Sequence, residues 1–418
     1  MKHFNRPELL VPAGSLEVLK TAVRYGADAV YIGGEAFSLR AKAKNFSEQD
    51  MAEGIKYAHA HDVKVYVTAN IYAHNKDIDD ATEYFEFLAK LKPDAVLISD
   101  PGLFTVWKEV CPEIPVHIST QANNTNYRTF GFWHDLGAER VVCARELTLD
   151  EIRELRSRIP SDMEIECFVH GAMCISYSGR CLLSAYMTGR SANLGECTHP
   201  CRWKYSVVEE MRPGEYMPVE ENDRGTFIFN SKDLCMIGHI PEMIEAGINS
   251  FKIEGRMKTA LYVATVARTY RRAIDDYFES PKLYEKNMPW YRSEIGRCTY
   301  RQFTTGFYFG KPDDDAQIYD NSTYVVESVF LGIIEEVTDD GRIRLTQKNK
   351  FSVDDRIEVM KPDGVNIPVR VAGIESEDGV SQESAPHACQ VIYVTLEHTD
   401  TKSGQEKWCE GDILRNNI

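Results

Sequence analysis

Leu9-Leu10-Val11-Pro12-Ala13-Gly14 is an apolar run that stops at a glycine turn, and Asp28-Ala29-Val30-Tyr31-Ile32-Gly33-Gly34 repeats the pattern one helix length later. Between them Leu16–Tyr25 has helical spacing, with Ser15 placed as its N-cap and Gly26 just past its end. A strand, a capped helix and a second apolar strand make a βαβ unit, whose strands lie parallel. The alternation continues outward. Strands are predicted at Lys64–Asn70, Ala95–Asp100, Val116–Thr120, Arg140–Ala144, Met163–His170 and Ser250–Glu254. Helices are predicted at Glu48–His61, Asp79–Leu91, Gly102–Cys111, Tyr127–Leu136, Asp150–Ser157 and Ala260–Tyr277. Eight such units fit an α/β fold of the TIM-type (β/α)8 barrel class. A doubly wound sheet is the alternative, and the first strand lacks the Gly-x-Gly-x-x-Gly that a dinucleotide fold would place after it.

The barrel domain is expected over residues 1–280, with a cysteine-rich insertion at 171–248 that is too long for an ordinary loop. Within the insertion, Phe227-Ile228-Phe229 is a candidate strand and Glu209–Asp223 an exposed hairpin. Pro281–Arg301 reads as an aromatic, irregular stretch inside a connector at 281–318. From 319 to 418 the pattern changes to short strands separated by turns such as Asp339-Asp340-Gly341, which predicts a small antiparallel β-barrel domain.

The chain has 418 residues, 43% hydrophobic and 27% charged, with a formal net charge of −16. That charge opposes non-specific binding to nucleic acid, so any RNA contact has to come from particular residues. The start lacks the apolar run of a signal peptide and no stretch reaches the length of a membrane span, which leads to the expectation of a cytoplasmic protein without membrane contact. Eleven cysteines in a reducing compartment are then thiols.

Cys174, Cys181, Cys197 and Cys201 crowd one Gly-rich segment, and Cys235 follows. Thiolates are soft ligands, so the cluster points to an iron–sulfur centre or to zinc, with His199 beside the thiols. A closed zinc knot that only folds the loop is the plainer account. The other six thiols read as buried packing.

The C-terminal ends of barrel strands face the active site. Those positions are Gly14, Gly33-Gly34-Glu35, Asn70, Asp100, Ser119-Thr120-Gln121, Arg145-Glu146, His170 and Glu254-Gly255-Arg256. Asn70, Gln121 and Arg256 are taken as substrate-binding candidates, together with Arg40 and Lys42 of the Arg40-Ala41-Lys42-Ala43-Lys44 loop, because guanidinium and ammonium groups bind carboxylate or phosphate. His170, Glu166 and Glu254 are the candidates for proton transfer. Arg268, Arg271 and Arg272, with Tyr270, Arg202, Trp203 and Lys204, offer an RNA patch, or equally the solvent face of an amphipathic helix.

The segments Phe168-Val-His-Gly-Ala-Met-Cys-Ile-Ser-Tyr-Ser-Gly-Arg-Cys181, Cys197-Thr-His-Pro-Cys201, Asn230-Ser-Lys-Asp-Leu-Cys235 and Phe251-Lys-Ile-Glu-Gly-Arg-Met-Lys258 resemble the collagenase-like peptidase family numbered thirty-two among those of unknown catalytic type. The resemblance runs over essentially the whole chain. It is nearest to the branch that hydroxylates the wobble uridine of tRNA; other members act on ribosomal RNA or quinone precursors, and several carry a peptidase label. It implies a 4Fe–4S cluster, oxygen-independent hydroxylation with prephenate as hydroxyl donor, and tRNA as partner. Carried over by motif, the ligands fall on Cys174, Cys181, Cys197 and Cys235, with Cys201 as a substitute; zinc would occupy the thiols after aerobic purification. Homodimer formation stays open. A peptidase is the competing expectation, yet no Gly-x-Ser-x-Gly or His-Glu-x-x-His is present.

Overall fold

A computed structural model describes residues 5–35, 37–38, 45–173, 181, 183–190, 197–200, 206–207, 217–218, 230–298, 300–310, 317–318, 327–399 and 407–417. Eight parallel strands close into a barrel: β1 Glu8–Pro12, β2 Ala29–Gly33, β3 Lys64–Ala69, β4 Ala95–Ile98, β5 Val116–Ile118, β6 Arg140–Val142, β7 Glu164–Ala172 and β8 Ser250–Ile253. β8 pairs with both β7 and β1, which shuts the cylinder and bears out the TIM-type expectation. Besides the short helix Leu183–Thr188 in the insertion, the described helices are α1 Leu16–Arg24, α2 Glu48–His59, α3 Asn75–Leu91, α4 Pro101–Val110, α5 Tyr127–Asp135, α6 Leu149–Arg158, α7 Ile240–Glu245, α8 Ala260–Glu279 and α9 Pro281–Gly296.

Local chemistry sets these ends. Ser15 Oγ accepts from the Val18 amide at 3.3 Å to start α1, and the Thr148–Glu151 capping box starts α6. Asp100, expected at the site, instead caps α4: its Oδ1 accepts from the Gly102 and Leu103 amides at 2.8 and 3.0 Å. Strand side chains alternate between two cores. Leu9, Val11, Val30, Ile32, Val65, Val67, Val96 and Ile98 pack outward against the helices, each contributing about 1.5–3 kcal/mol by leaving water. Leu10, Ala29, Tyr31, Tyr66, Ala95 and Leu97 fill the lumen, so the barrel is a packed body and not a pore.

Below that layer the lumen is closed by charge. Arg140 binds Glu8 at 2.6 Å and Glu166 at 3.2 Å, while Lys252 binds the other oxygen of Glu166 at 2.6 Å. Glu166 is the third residue of β7, because that strand runs two residues past His170 to Ala172. The expectation that Glu166 transfers protons at the active-site mouth is therefore corrected. It belongs to the barrel floor, at the opposite end from the mouth, where two buried cations compensate its charge.

β7 outlasts its neighbours, and the extra length is used. The short strand Asp233–Cys235 runs antiparallel to it, pairing Asp233 with Ala172, Leu234 with Gly171 and Cys235 with His170. Phe303–Thr304 adds outside that strand. Elsewhere in the insertion, Ser206–Val207 pairs with Met217–Pro218 as the ladder of a hairpin, while Phe227-Ile228-Phe229 lies outside the described residues.

The stretch Pro281–Arg301, expected to be irregular, is mostly the helix α9, which buries Tyr284, Tyr291 and Glu294. α9 and α8 carry the C-terminal domain. Its strands Arg356–Met360, Ile413–Asn417, Ser328–Val337, Ile343–Thr346, Val391–His398 and Asn366–Ser376 pair antiparallel in that order, and the last pairs back with the first. They form a closed antiparallel barrel around their own core. The two bodies meet through polar anchors. Tyr25 donates to the Met360 carbonyl at 2.8 Å, Arg268 donates to the Lys361 carbonyl at 2.6 Å, and Glu294 is clamped by Arg268 and by Arg415 at 2.9 Å.

Candidate active site at the barrel mouth

Arg256 lies three residues past β8 and its guanidinium reaches across the mouth. Nη1 donates to Ser38 Oγ at 2.6 Å and Thr68 Oγ1 at 3.0 Å, and Nη2 donates to Asn45 Oδ1 at 3.1 Å. Only a residue without a side chain admits it there. A Cβ on Gly33, at the end of β2, would sit 2.5 Å from Nη2. Arg256 is thus a buried, oriented cation, 6% exposed.

Next round the rim are Asn70 after β3 and Gln121 in the short turn Thr120–Ala122 after β5. Asn70 Nδ2 donates to Ser119 Oγ and Gln121 Oε1, both at 3.2 Å, and Ser119 Oγ also bonds Gln121. Ser99 Oγ, at the end of β4, donates to the Asn70 carbonyl at 2.8 Å. Asn70, Gln121 and Arg256 therefore all lie on one rim. Ser38 and Thr68, which position Arg256, carry no motif that a sequence reading could seize on, whereas Ser119 is one of the strand-end positions named from the sequence.

On the β6–β8 side stands a second group. Arg145 donates through Nη1 to the Ala172 carbonyl at 2.8 Å and lies 3.9 Å over the Phe168 ring. Glu254, directly after β8, is 3.9 Å from Arg145 Nη2. Gly171 (φ +106°) allows the crossing, since a Cβ there would meet the Glu254 carbonyl oxygen at 2.5 Å. The Glu254 amide donates to the His170 carbonyl at 2.8 Å.

His170 is buried among Tyr262, Tyr270 and Phe303. Burial first, and the Lys258 ammonium second, hold its pKa down to about 3, so the ring is neutral at pH 7. The Tyr270 hydroxyl lies 3.4 Å from its Nδ1 and donates to the Val169 carbonyl at 2.8 Å. Such a histidine orients neighbours; it is poorly placed to take up a proton from a nucleophile.

Cys235 pairs with His170 across the added strand, and burial pushes its thiol up to about 11. The backbone N–H of His199 donates to Cys197 Sγ at 3.4 Å, and the Ser184 hydroxyl ties down the Thr198 amide at 3.1 Å. Among the described residues no three His, Cys, Asp or Glu side chains form a metal-holding group. The donor chemistry does fit a thiolate-bound cluster. Cys181, Cys197 and Cys235 are half-buried; of the six thiols expected to be packing, Cys111, Cys143, Cys167 and Cys298 are buried, whereas Cys389 and Cys409 are exposed and correct that expectation. Cys174 and Cys201 lie outside the described residues, as do Arg40, Lys42, Arg202, Trp203 and Lys204.

Among the described residues the arginines of α8 do not form a joint RNA patch, and only its later turns, with Arg272, reach solvent. Arg268 is 2% exposed and Tyr270 fully buried; Arg271 pairs with Asp28 and Asp275, both at 2.7 Å, and Arg272 lies 4.5 Å over the Trp290 ring. α8 is buried nearly all round over Ala260–Tyr270 because it is sandwiched between the barrel and the C-terminal domain.

The model of peptidase family U32 matches residues 14–318, and that of the peptidase family U32 C-terminal domain matches residues 327–415. The chain belongs to family U32. Among curated U32-like relatives, the tRNA hydroxylation protein P1 of Bacillus subtilis (strain 168) is 39% identical over 94% of this chain and 92% of its own. The tRNA hydroxylation protein P of Escherichia coli (strain K12) is 38% identical over 91% of this chain and 92% of its own. A 23S rRNA 5-hydroxycytidine synthase of Escherichia coli (strain K12) is 36% identical over 66% of this chain and 40% of its own. No helix of the described residues is long and apolar enough to cross a membrane.

Proposed function

We propose that this protein is a cytoplasmic tRNA-modifying enzyme that hydroxylates wobble uridine at C5 without oxygen, with prephenate as the hydroxyl donor. The observation that carries the reading is the junction at β7: the strand bearing Cys235 is hydrogen-bonded onto the same strand end that holds Glu254 and Arg145 at the mouth. Cys235 and the polar rim with Arg145 thus share one strand end.

In this reading Cys174, Cys181, Cys197 and Cys235 hold a 4Fe–4S cluster, with Cys201 as the substitute fourth donor. When bound, such a cluster supplies electron transfer tuned by burial and by hydrogen bonds to sulfur, for which the His199 N–H to Cys197 bond is an example. The chain's own residues do the rest. Arg256, Arg40 and Lys42 attract the two carboxylates of the donor. Asn70 and Gln121 present an amide pair suited to the polar edge of an unstacked base. Glu254 is the carboxylate positioned to exchange a proton at the rim. The names and full-length coverage of the relatives support the RNA hydroxylation part. A peptidase is disfavoured by His170, which is neutral, buried and engaged with Tyr270.

The test is mass spectrometry of tRNA nucleosides from a strain lacking this gene and any redundant hydroxylase, with and without restoration. Loss and recovery of 5-hydroxyuridine-derived nucleosides is expected. Nucleosides unchanged by the deletion would overturn the reading.

A further inference from the structure

Arg145 stands on the rim with one edge of its guanidinium only half used. Its Nη1 is committed to the Ala172 carbonyl at 2.8 Å and its flat face to Phe168 at 3.9 Å. The opposite edge, Nε with Nη2, is the fork that receives a carboxylate through two parallel bonds. Nε is buried and makes no hydrogen bond, and Nη2 lies 3.9 Å from Glu254, beyond bonding distance. A buried guanidinium donor left so is costly and calls for an explanation.

We infer that Arg145 is the carboxylate-binding residue of the mouth, and that Glu254 holds the place of the incoming acid. A small organic acid displaces the Glu254 side chain and closes the Nε–Nη2 fork with a planar carboxylate, while Phe168 and the Ala172 carbonyl keep the guanidinium flat. The ligand is a small carboxylate and not an RNA phosphate, because the Arg145 side chain is only 13% exposed and a polymer backbone does not reach it. The role is one of binding and specificity. It rests on the reading that an anionic donor enters this mouth, and adds the residue that takes one of its carboxylates.

The experiment is equilibrium binding of prephenate and, separately, of tRNA to the full-length protein purified without oxygen, as wild type, R145Q, R145K and E254Q. R145Q is expected to weaken prephenate about tenfold or more, with R145K in between because lysine lacks the fork, and tRNA affinity unchanged. E254Q is expected to bind prephenate more tightly than wild type, since a competing internal carboxylate is gone. Wild-type-like prephenate affinity in R145Q overturns the assignment. So does a parallel loss of tRNA affinity, which would make the anion an RNA phosphate. If R145Q does not fold, E254Q decides: equal or weaker prephenate binding overturns the inference. Failure of the donor reading itself is distinct, because it appears in the wild type as absence of prephenate binding.

Discussion

At the scale of single residues, position along a strand decides role. Arg256 and Glu166 are both buried charged groups in one barrel, yet one faces the mouth and the other seals the floor. Their environments differ accordingly: Arg256 is held by Ser38, Thr68 and Asn45, whereas Glu166 is neutralised by Arg140 and Lys252. Gly33 is the control point for Arg256. We expect Gly33→Ala to displace the guanidinium by steric contact, lowering wobble hydroxylation at least tenfold while the melting temperature changes by only a few degrees, about 1–3 kcal/mol for a strained small-to-large change. Activity equal to wild type in Gly33→Ala would take Arg256 out of the site. Asn70, Gln121 and Arg256 were legible in the sequence because each lies within three residues of the end of an apolar run, and strand ends are where a barrel does its chemistry. Glu166 was misread because β7 continues to Ala172, and a strand's end cannot be counted when an added strand prolongs it.

At the scale of elements, the strand Asp233–Cys235 is the piece that couples the insertion to the barrel. Three residue pairs fix its register on β7, and Asp233 is locked by the Arg301 amide at 3.1 Å. Its thiol is therefore presented at a set place on the rim, unlike Cys298, which is buried beneath and donates to the Ile295 carbonyl at 3.3 Å. Cys235→Ala and Cys181→Ala are expected to lose iron and sulfide from anaerobically purified protein, and Cys298→Ala to retain both. Wild-type iron content in Cys235→Ala would remove that residue from the ligand set. The helix α9 shows the opposite limit of sequence reading. Pro281 suits a first helical turn, but Pro289 within the helix removes one backbone bond and argues against it. The helix persists because Tyr284, Tyr291 and Ile295 recur on one buried face, so tertiary burial outweighs the local defect.

At the scale of the whole molecule, the C-terminal barrel is fastened to α8 and α9 by Glu294, Arg268 and Arg415, three charges with almost no exposure. Burial alone would raise the Glu294 carboxyl; the Arg268 and Arg415 guanidiniums outweigh it and hold it below the usual carboxylate value. A depressed folded-state pKa means that the clamp stabilises the protein above the unfolded carboxylate's pKa and is lost as the pH falls through the folded one. Glu294→Gln is thus expected to cost about 3–5 kcal/mol at neutral pH by taking from buried Arg268 its carboxylate and leaving Arg415 with Glu358 alone, and its deficit against wild type, followed by denaturant unfolding, should shrink on acidification. A pH-independent gap would count against the clamp. This interface also explains why the arginines of α8 could not be sorted from sequence: their partners lie in Asp28, Glu294, Asn366 and Lys361, far away along the chain. The charged floor has a consequence of another kind. With Glu8, Arg140, Glu166 and Lys252 locked below a filled lumen, the described residues leave no passage through the floor. On the proposed function, a small guest is expected to be seated before a macromolecular one covers the opening, so that arrival and departure follow a queue.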